Sequence, residues 1–179
     1  MSKNIVVLSG SPRKDGNTDK LTAAFIDGAE SSGKKVTLFR VADMKINGCF
    51  GCEHCCEEKG VCVQKDDMVS ILDALQNADT LVLASPVYYF TITAQLKLAL
   101  DRTFALNGVR PSVKRTALLM TSGDDDVKVA DGAVVMYRNI CAFCIWEDAG
   151  VIIAGGLHGK DDIVGRNELD KARSLGREI

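Results

Sequence analysis

Nowhere in this chain do apolar residues run on for the ~20 positions that a membrane-spanning helix needs. The first residues carry no signal-peptide pattern either, so the expectation is a soluble protein of the cytoplasm. Charge of one sign is equally scarce, with 22 Lys and Arg against 24 Asp and Glu and a formal net charge of −2. With no basic stripe, the balance argues against nucleic acid as the main partner. There is no internal repeat and no low-complexity linker. The 179 residues, 46% of them hydrophobic, therefore read as one domain, 1–179, with a sizeable core. No Ser/His/Asp set and no pair of carboxylates can be argued from spacing, so no side-chain catalyst announces itself.

Familiar phosphate loops are missing as well. A Walker A loop places four residues between its glycines before Lys-Ser/Thr, whereas five separate Gly10 from Gly16 and Asn17 follows. The fingerprint Gly-x-Gly-x-x-Gly is absent, and no nucleophilic cysteine opens the turn, as one would in a cysteine-dependent phosphatase. What stands there is Val-Leu-Ser-Gly-Ser-Pro-Arg-Lys-Asp-Gly-Asn-Thr from Val7 to Thr18: an apolar strand, a hydroxyl- and glycine-rich turn, then a helix start. A helix N-terminus offers unpaired N–H groups and partial positive charge, which suits an anion. Ser9, Ser11, Asn17 and Thr18 add neutral donors and Arg13 a planar cation, while Gly10 and Gly16 let backbone approach a ligand. The turn suits a phosphate monoester that is held rather than cleaved. The plainer alternative is an ordinary capped turn.

Strand and helix alternate along the chain. Ile5 to Leu8 is a continuous apolar run, as a strand buried on both faces should be. Leu21, Ala24, Phe25 and Ala29 recur at helical spacing. Val36 to Val41 predicts strand two. Met68, Ile71, Leu72 and Leu75 predict a helix, with Asp66 and Asp67 at its N-terminus. Thr80 to Ala84, Lys114 to Thr121 and Val151 to Ala154 predict strands three to five. Gln95 to Phe104, Val129 to Trp146 and Asn167 to Glu178 predict the remaining helices. Five βα units with short connections imply an α/β, flavodoxin-like three-layer sandwich whose parallel sheet has order 2-1-3-4-5 and a cysteine-rich insertion after strand two. Its ligand crevice should lie between the carboxyl ends of strands one and three.

The turn after strand three reads Ser85-Pro86-Val87-Tyr88-Tyr89-Phe90. Three consecutive aromatics in a loop would form an apolar wall for a planar ring; the alternative is rings tucked under the sheet. Thr121, Ser122, Gly123 and Asp124 follow strand four on the same rim. A phosphate at strand one and a flat heterocycle across strands three and four describe flavin mononucleotide (FMN).

Gly-Ser-Pro-Arg-x-x-Gly-Asn-Thr from Gly10 to Thr18 resembles the phosphate loop of the NADPH-dependent FMN reductase family. Ser85-Pro-Val-Tyr, followed by Leu96-Lys97 and Asp101-Arg102, is similar to that family's segment after its third strand. The resemblance spans nearly the whole chain. It implies non-covalent FMN, with Ser9, Ser11, Arg13, Asn17 and Thr18 around the phosphate and Pro12 and Gly16 in the same loop. Its ring would lie against Pro86, Val87, Tyr88, Tyr89 and Phe90, bordered by Thr121, Ser122 and Gly123. The resemblance further implies a homodimer or homotetramer.

Seven cysteines in a chain expected in a reducing compartment point to metal, cluster or redox chemistry rather than structural disulfides. Five fall in the loop 44–66, where Cys49, Cys52, Cys55 and Cys62 give a C-x2-C-x2-C-x6-C frame, with Cys56 beside Cys55. Four thiolates so close in sequence can wrap one tetrahedral or cubane centre. The frame resembles the compact motif of the iron–sulfur flavoproteins, which implies a [4Fe-4S] cluster. Free or redox-active thiols and structural zinc are the alternatives, and either Cys55 or Cys56 can be the third ligand. Elsewhere, Cys141 and Cys144 share a helix face and read as core residues. His54 is a substitute ligand with better sulfurs nearby. His158 reads as a surface-loop residue, the alternative being the crevice of a neighbouring subunit, and Asp124 to Asp126 read as a solvated capping loop rather than a metal site.

The function implied is an oxidoreductase that takes electrons from NAD(P)H or a ferredoxin through FMN to a small-molecule acceptor or redox partner protein. The flavin carries the chemistry and the protein orients it. An electron carrier without a substrate pocket is the other class, although a net charge of −2 offers little steering of protein partners.

Overall fold

The computed structural model describes residues 3–58, 60–109 and 112–179. Strands β1 (Asn4–Ser9), β2 (Lys35–Arg40), β3 (Thr80–Pro86), β4 (Arg115–Thr121) and β5 (Glu147–Ala154) form a parallel sheet of order β2-β1-β3-β4-β5. The helices are α1 (Asn17–Ser31), a single turn α2 (His54–Glu57), α3 (Met68–Gln76), α4 (Ala94–Arg102), α5 (Asp131–Cys144) and α6 (Asn167–Glu178). No helix is long and apolar enough to cross a membrane, among the described residues.

The apolar run at the start of the chain becomes a central strand because its alternate residues serve two layers. Val6 and Leu8 pack with Met68 and Ile71 of α3, Leu96 of α4 and Tyr137 of α5. Ile5 and Val7 face the other way, onto Leu21 and Phe25 of α1 and Ala172 of α6. Leu81 and Leu83 against Val82 and Ala84 repeat that division in β3, as do Leu118 and Met120 against Ala117 and Leu119 in β4. Each fully buried Leu or Phe contributes ~1.5–3 kcal/mol relative to exposure. On the second face α1 and α6 touch backbone to backbone: a Cβ at Gly28 would strike the Arg173 carbonyl, and one at Gly176 the carbonyl of Phe25.

The differences from the sequence reading are local. Strand β5 begins at Glu147, four residues before Val151, because Arg115 at the start of β4 holds the Glu147 carboxylate at 2.9 and 3.0 Å. The register shifts between Thr116 and Ala117, beside Gly150. Helix α5 starts at Asp131 after a 3₁₀ turn over Val127–Ala130 and stops at Cys144, where Ile145 takes a left-handed φ of 58°. Helix α4 likewise gives way at Thr103 to a 3₁₀ segment, Thr103–Gly108. Val41 caps β2 in a 3₁₀ turn rather than extending the strand.

Candidate functional site

The carboxyl ends of β1, β3, β4 and β5 surround a crevice of about 310 Å³. Ser11, Arg13, Gly16, Asn17 and Thr18 line it from the first turn, Pro86, Val87 and Tyr88 from the turn after β3, and Thr121, Ser122 and Gly123 from the end of β4. Helix α1 opens with Gly16 at its N-cap and no side chain bonded there, so the first-turn N–H groups face the crevice region without a built-in acceptor. Arg13 is exposed and pairs with no carboxylate among the described residues, whereas Arg40 nearby is taken by Asp19 and Asp43. Two of the anticipated residues have other work. The Asn17 amide donates to Gly159 O at 2.7 Å and accepts from Ile163 N at 3.3 Å, tying the loop after β5 to the start of α1. Thr18 shares a hydroxyl–hydroxyl hydrogen bond of 2.7 Å with Thr121, which joins the turn to β4. Ser9 is buried, with its Oγ unpartnered, and neither it nor the exposed Pro12 lines the crevice.

The turn is fixed by a buried network. Thr93 caps α4, accepting from Leu96 N at 3.3 Å, and its hydroxyl donates to Gly10 O at 2.9 Å. Its own N–H donates to Ser85 Oγ at 3.0 Å, and Ser85 donates to Pro86 O at 2.8 Å. A Cβ on Gly10 would collide with the Thr93 hydroxyl and lie 2.6 Å from Leu96 Cβ, so only glycine lets the strand end sit on this cap.

The aromatic turn is strained. Tyr88 and Thr91 exchange backbone hydrogen bonds of 2.9 and 3.1 Å, and both residues between them are left-handed, Tyr89 at φ 46° and Phe90 at φ 65°. That conformation costs a non-glycine residue ~1–2 kcal/mol. It leaves Tyr89 98% and Phe90 65% exposed, not tucked under the sheet. Both lie outside the crevice, on an adjoining shallow hollow with Val87, Ser122, Gly123 and Asp124. Gly132 in the first turn of α5 abuts Phe90, whose carbonyl would lie 2.6 Å from a Cβ there.

Leu157 and His158, beyond the end of β5, complete the crevice, with His158 Nδ1 close to Gly123. The sequence reading passes over Leu157 and assigns His158 to a surface loop, whereas the fold sets it on the crevice of its own chain. Their signal is positional: they follow the carboxyl end of the strand beside β4.

The cysteine loop forms a separate hollow of about 230 Å³, with Cys49, Cys52, Cys55 and Cys62 on its wall and Cys56 off it. Burial, then the neighbouring Cys56 and Cys62, pushes the Cys55 thiol up. No three His, Cys, Asp or Glu side chains converge to grip a single metal ion, among the described residues. Gln64 lines the hollow, its Nε2 donating to Gly48 O at 2.9 Å and its buried Oε1 unpartnered. His54 sits in α2 and is not on the wall. The loop's stem is fastened by Asp66, which lies 2.9 and 3.0 Å from the Arg102 guanidinium. That pair holds the Asp66 carboxyl down to about 2.

Cys141 is buried in α5 and Cys144 half-buried, and burial pushes both thiols up, as it does the Tyr137 hydroxyl bonded to Asp148 at 2.8 Å. Asp126 caps the 3₁₀ turn, accepting from Lys128 N at 3.0 Å in an exposed loop.

A family model described as NADPH-dependent FMN reductase matches residues 3–144. An iron–sulfur flavoprotein of Archaeoglobus fulgidus is 36% identical over 177 residues, covering 97% of this chain and 77% of its own. In fold, an NAD(P)H:quinone oxidoreductase from Methanothermobacter marburgensis superposes with a TM-score of 0.80 at 19% identity, over 99% of this chain and 96% of that one. An FMN-dependent NADH-azoreductase from Bacillus anthracis, in complex with FMN, does so with a TM-score of 0.73 at 14% identity, over 97% and 98%. The chain belongs to the NADPH-dependent FMN reductase family of oxidoreductases, in its iron–sulfur flavoprotein branch.

Proposed function

We propose that the crevice holds FMN and that Cys49, Cys52, Cys55 and Cys62 hold a [4Fe-4S] cluster, so that electrons from NAD(P)H leave through the cluster to a small-molecule or protein acceptor. The observation that carries the reading is the pairing of two sites in one chain: an anion-ready turn beside an apolar wall, and four thiols around one hollow. The donors suit a phosphate, with Arg13, unpaired among the described residues, and open helix N–H groups meeting its charge. Val87, Tyr88 and Leu157 exclude water from the ring, and the turn bearing Tyr89 and Phe90 stands at the rim where a nicotinamide would approach.

At the cysteine loop, a zinc ion would need four sulfurs ~2.3 Å from one point. Four thiols lining one hollow of about 230 Å³ leave room for a centre larger than a single ion. FMN supplies hydride acceptance and single-electron release, and the cluster supplies one-electron transfer.

Anaerobic purification followed by flavin, iron, sulfide and zinc analysis tests the reading. It expects about one FMN, four iron and four sulfide per chain. Zinc, or empty thiols, overturns the cluster, and a protein that stays colourless after adding FMN overturns the flavin. Arg13→Ala should weaken FMN ~10–100-fold, the cost of a charged hydrogen bond at a phosphate. Slow NAD(P)H oxidation with fast reduction by a ferredoxin would replace the proposed electron donor.

A further inference from the structure

The Arg102 guanidinium is a buried cation that neither the crevice nor the thiol set absorbs. Its side chain is 1% exposed, and a cation so enclosed persists only if its donors are met. Nη1 and Nη2 donate to Asp66 at 2.9 and 3.0 Å, and Nη1 also donates to Asn47 O at 3.0 Å. Asp66 in turn accepts from the N–H groups of Asn47 and Met68, at 3.0 and 3.2 Å. One planar fork therefore clasps both stems of the cysteine loop against α4. Of the two N–H groups left over, the one on Nε is buried with no hydrogen-bond partner. The Cys62 sulfur lies beside this guanidinium, where negative charge on the sulfur would strengthen the hold on the cation.

We propose that Arg102 is a positioning residue for the iron–sulfur centre, fixing the loop through Asp66 and Asn47 and offering its free Nε–H and its charge to the Cys62 thiolate. This inference rests on the cluster reading above. One-electron reduction adds a negative charge to a cluster without making or breaking a bond. A nearby cation and an N–H···S contact favour the reduced state and raise the potential. Asp66 opposes that effect by neutralising part of the cation's field. The two partners of one ion pair therefore act on the potential in opposite senses, whereas loosening of the loop would act in one.

The test is a redox titration of the anaerobically purified holoprotein with dithionite, followed by the cluster's EPR signal, with iron and sulfide assays and thermal melts beside it. Arg102→Gln should lower the midpoint potential below wild type. Asp66→Asn should raise it, because the cation is left uncompensated. Arg102→Lys, which keeps the charge and loses the fork, should return toward wild type. Shifts of the same sign in Arg102→Gln and Asp66→Asn overturn the proposal, as do unchanged potentials at full iron content. Loss of the cluster from Arg102→Gln at an unchanged melting temperature supports the positioning role. If Arg102→Gln does not fold, Asp66→Asn decides, a rise supporting the proposal and no rise overturning it. Wild-type protein without iron and sulfide overturns the cluster reading instead, a result visible before any variant is made.

Discussion

The turn after β1 and the cysteine loop lie in one chain and are built by opposite means. The turn hangs on regular structure: Gly10, just after β1, packs on the Thr93 cap of α4, while Thr18 is joined to Thr121 at the end of β4. Among its described residues the cysteine loop contains only the four-residue helix α2, and it is fastened by the Asp66–Arg102 pair. Its backbone turns through left-handed residues at Gly51, Glu53 and Gly60. A site on strand ends and a helix N-terminus keeps its shape without a ligand. A loop with few fixed contacts gains much of its order from what it binds.

The largest expected effect sharpens that contrast at Gly10. Valine there would drive its Cβ into the Thr93 hydroxyl and Leu96 and break the bond from Thr93 to Gly10 O. Overpacking of this kind costs about 3 kcal/mol. Gly10→Val should lower the urea midpoint accordingly and abolish FMN binding, while iron per folded chain stays at the wild-type level. Loss of iron together with flavin would show that the two regions are one cooperative unit.

A smaller effect probes the loop's anchor by pH. The Asp66 carboxyl is held at about 2, first by its hydrogen bonds to Arg102, against an ordinary 3.8. A depressed carboxyl stabilises the fold above its unfolded value and loses that contribution as the pH falls toward the folded one. The pair should therefore add stability fully above about pH 5, and about 2 kcal/mol of it should disappear between pH 4 and pH 2. Urea unfolding of wild type and Asp66→Asn across this range checks it, since contributions common to both proteins cancel. Parallel pH profiles would mean that the pair does not anchor the loop.

The same contrast governs what could be read from the sequence. Continuous apolar runs at Ile5 to Leu8 and Thr80 to Ala84 announce central strands, because burial on both faces leaves no room for another pattern. Helix α6 was legible to its ends, Asn167 and Glu178. Strand β5 reads four residues short because Glu147 and Asp148 look like solvent residues until Arg115 of β4 and Tyr137 of α5 supply their partners. Leu157 carries no signal and His158 reads as a surface-loop residue, since no motif surrounds them, only the topology that brings the ends of β4 and β5 together. Cysteine spacing suggests a frame of four thiols but leaves Cys55 and Cys56 equivalent, while the fold sets Cys55 on the hollow and Cys56 outside it. Asp66 reads as a helix-start acid, and it does accept from Met68 N, but its main partner lies 36 residues away. Local patterns announce frameworks, and pairings across long separations do not.

The smallest expected effect lies at the rim of the crevice, where the rigid half of the site departs from its own economy. Tyr89 holds φ 46° with its side chain 98% exposed, so no packing in this chain repays the left-handed strain. Glycine takes that conformation freely, although it also widens the unfolded ensemble. The net gain for Tyr89→Gly should be about 1 kcal/mol, or ~2–4 °C in Tm for a chain of this size. If the strained turn serves the crevice by presenting an aromatic surface at the rim, the stabilised variant should bind FMN more weakly or turn over NAD(P)H more slowly. Thermal melts and steady-state NAD(P)H oxidation measured on the same preparation separate the two consequences. A variant that is both more stable and fully active would mean that the tyrosine's strain is not tied to the flavin site, and one that is less stable would mean that its exposed ring has a partner in the assembled protein.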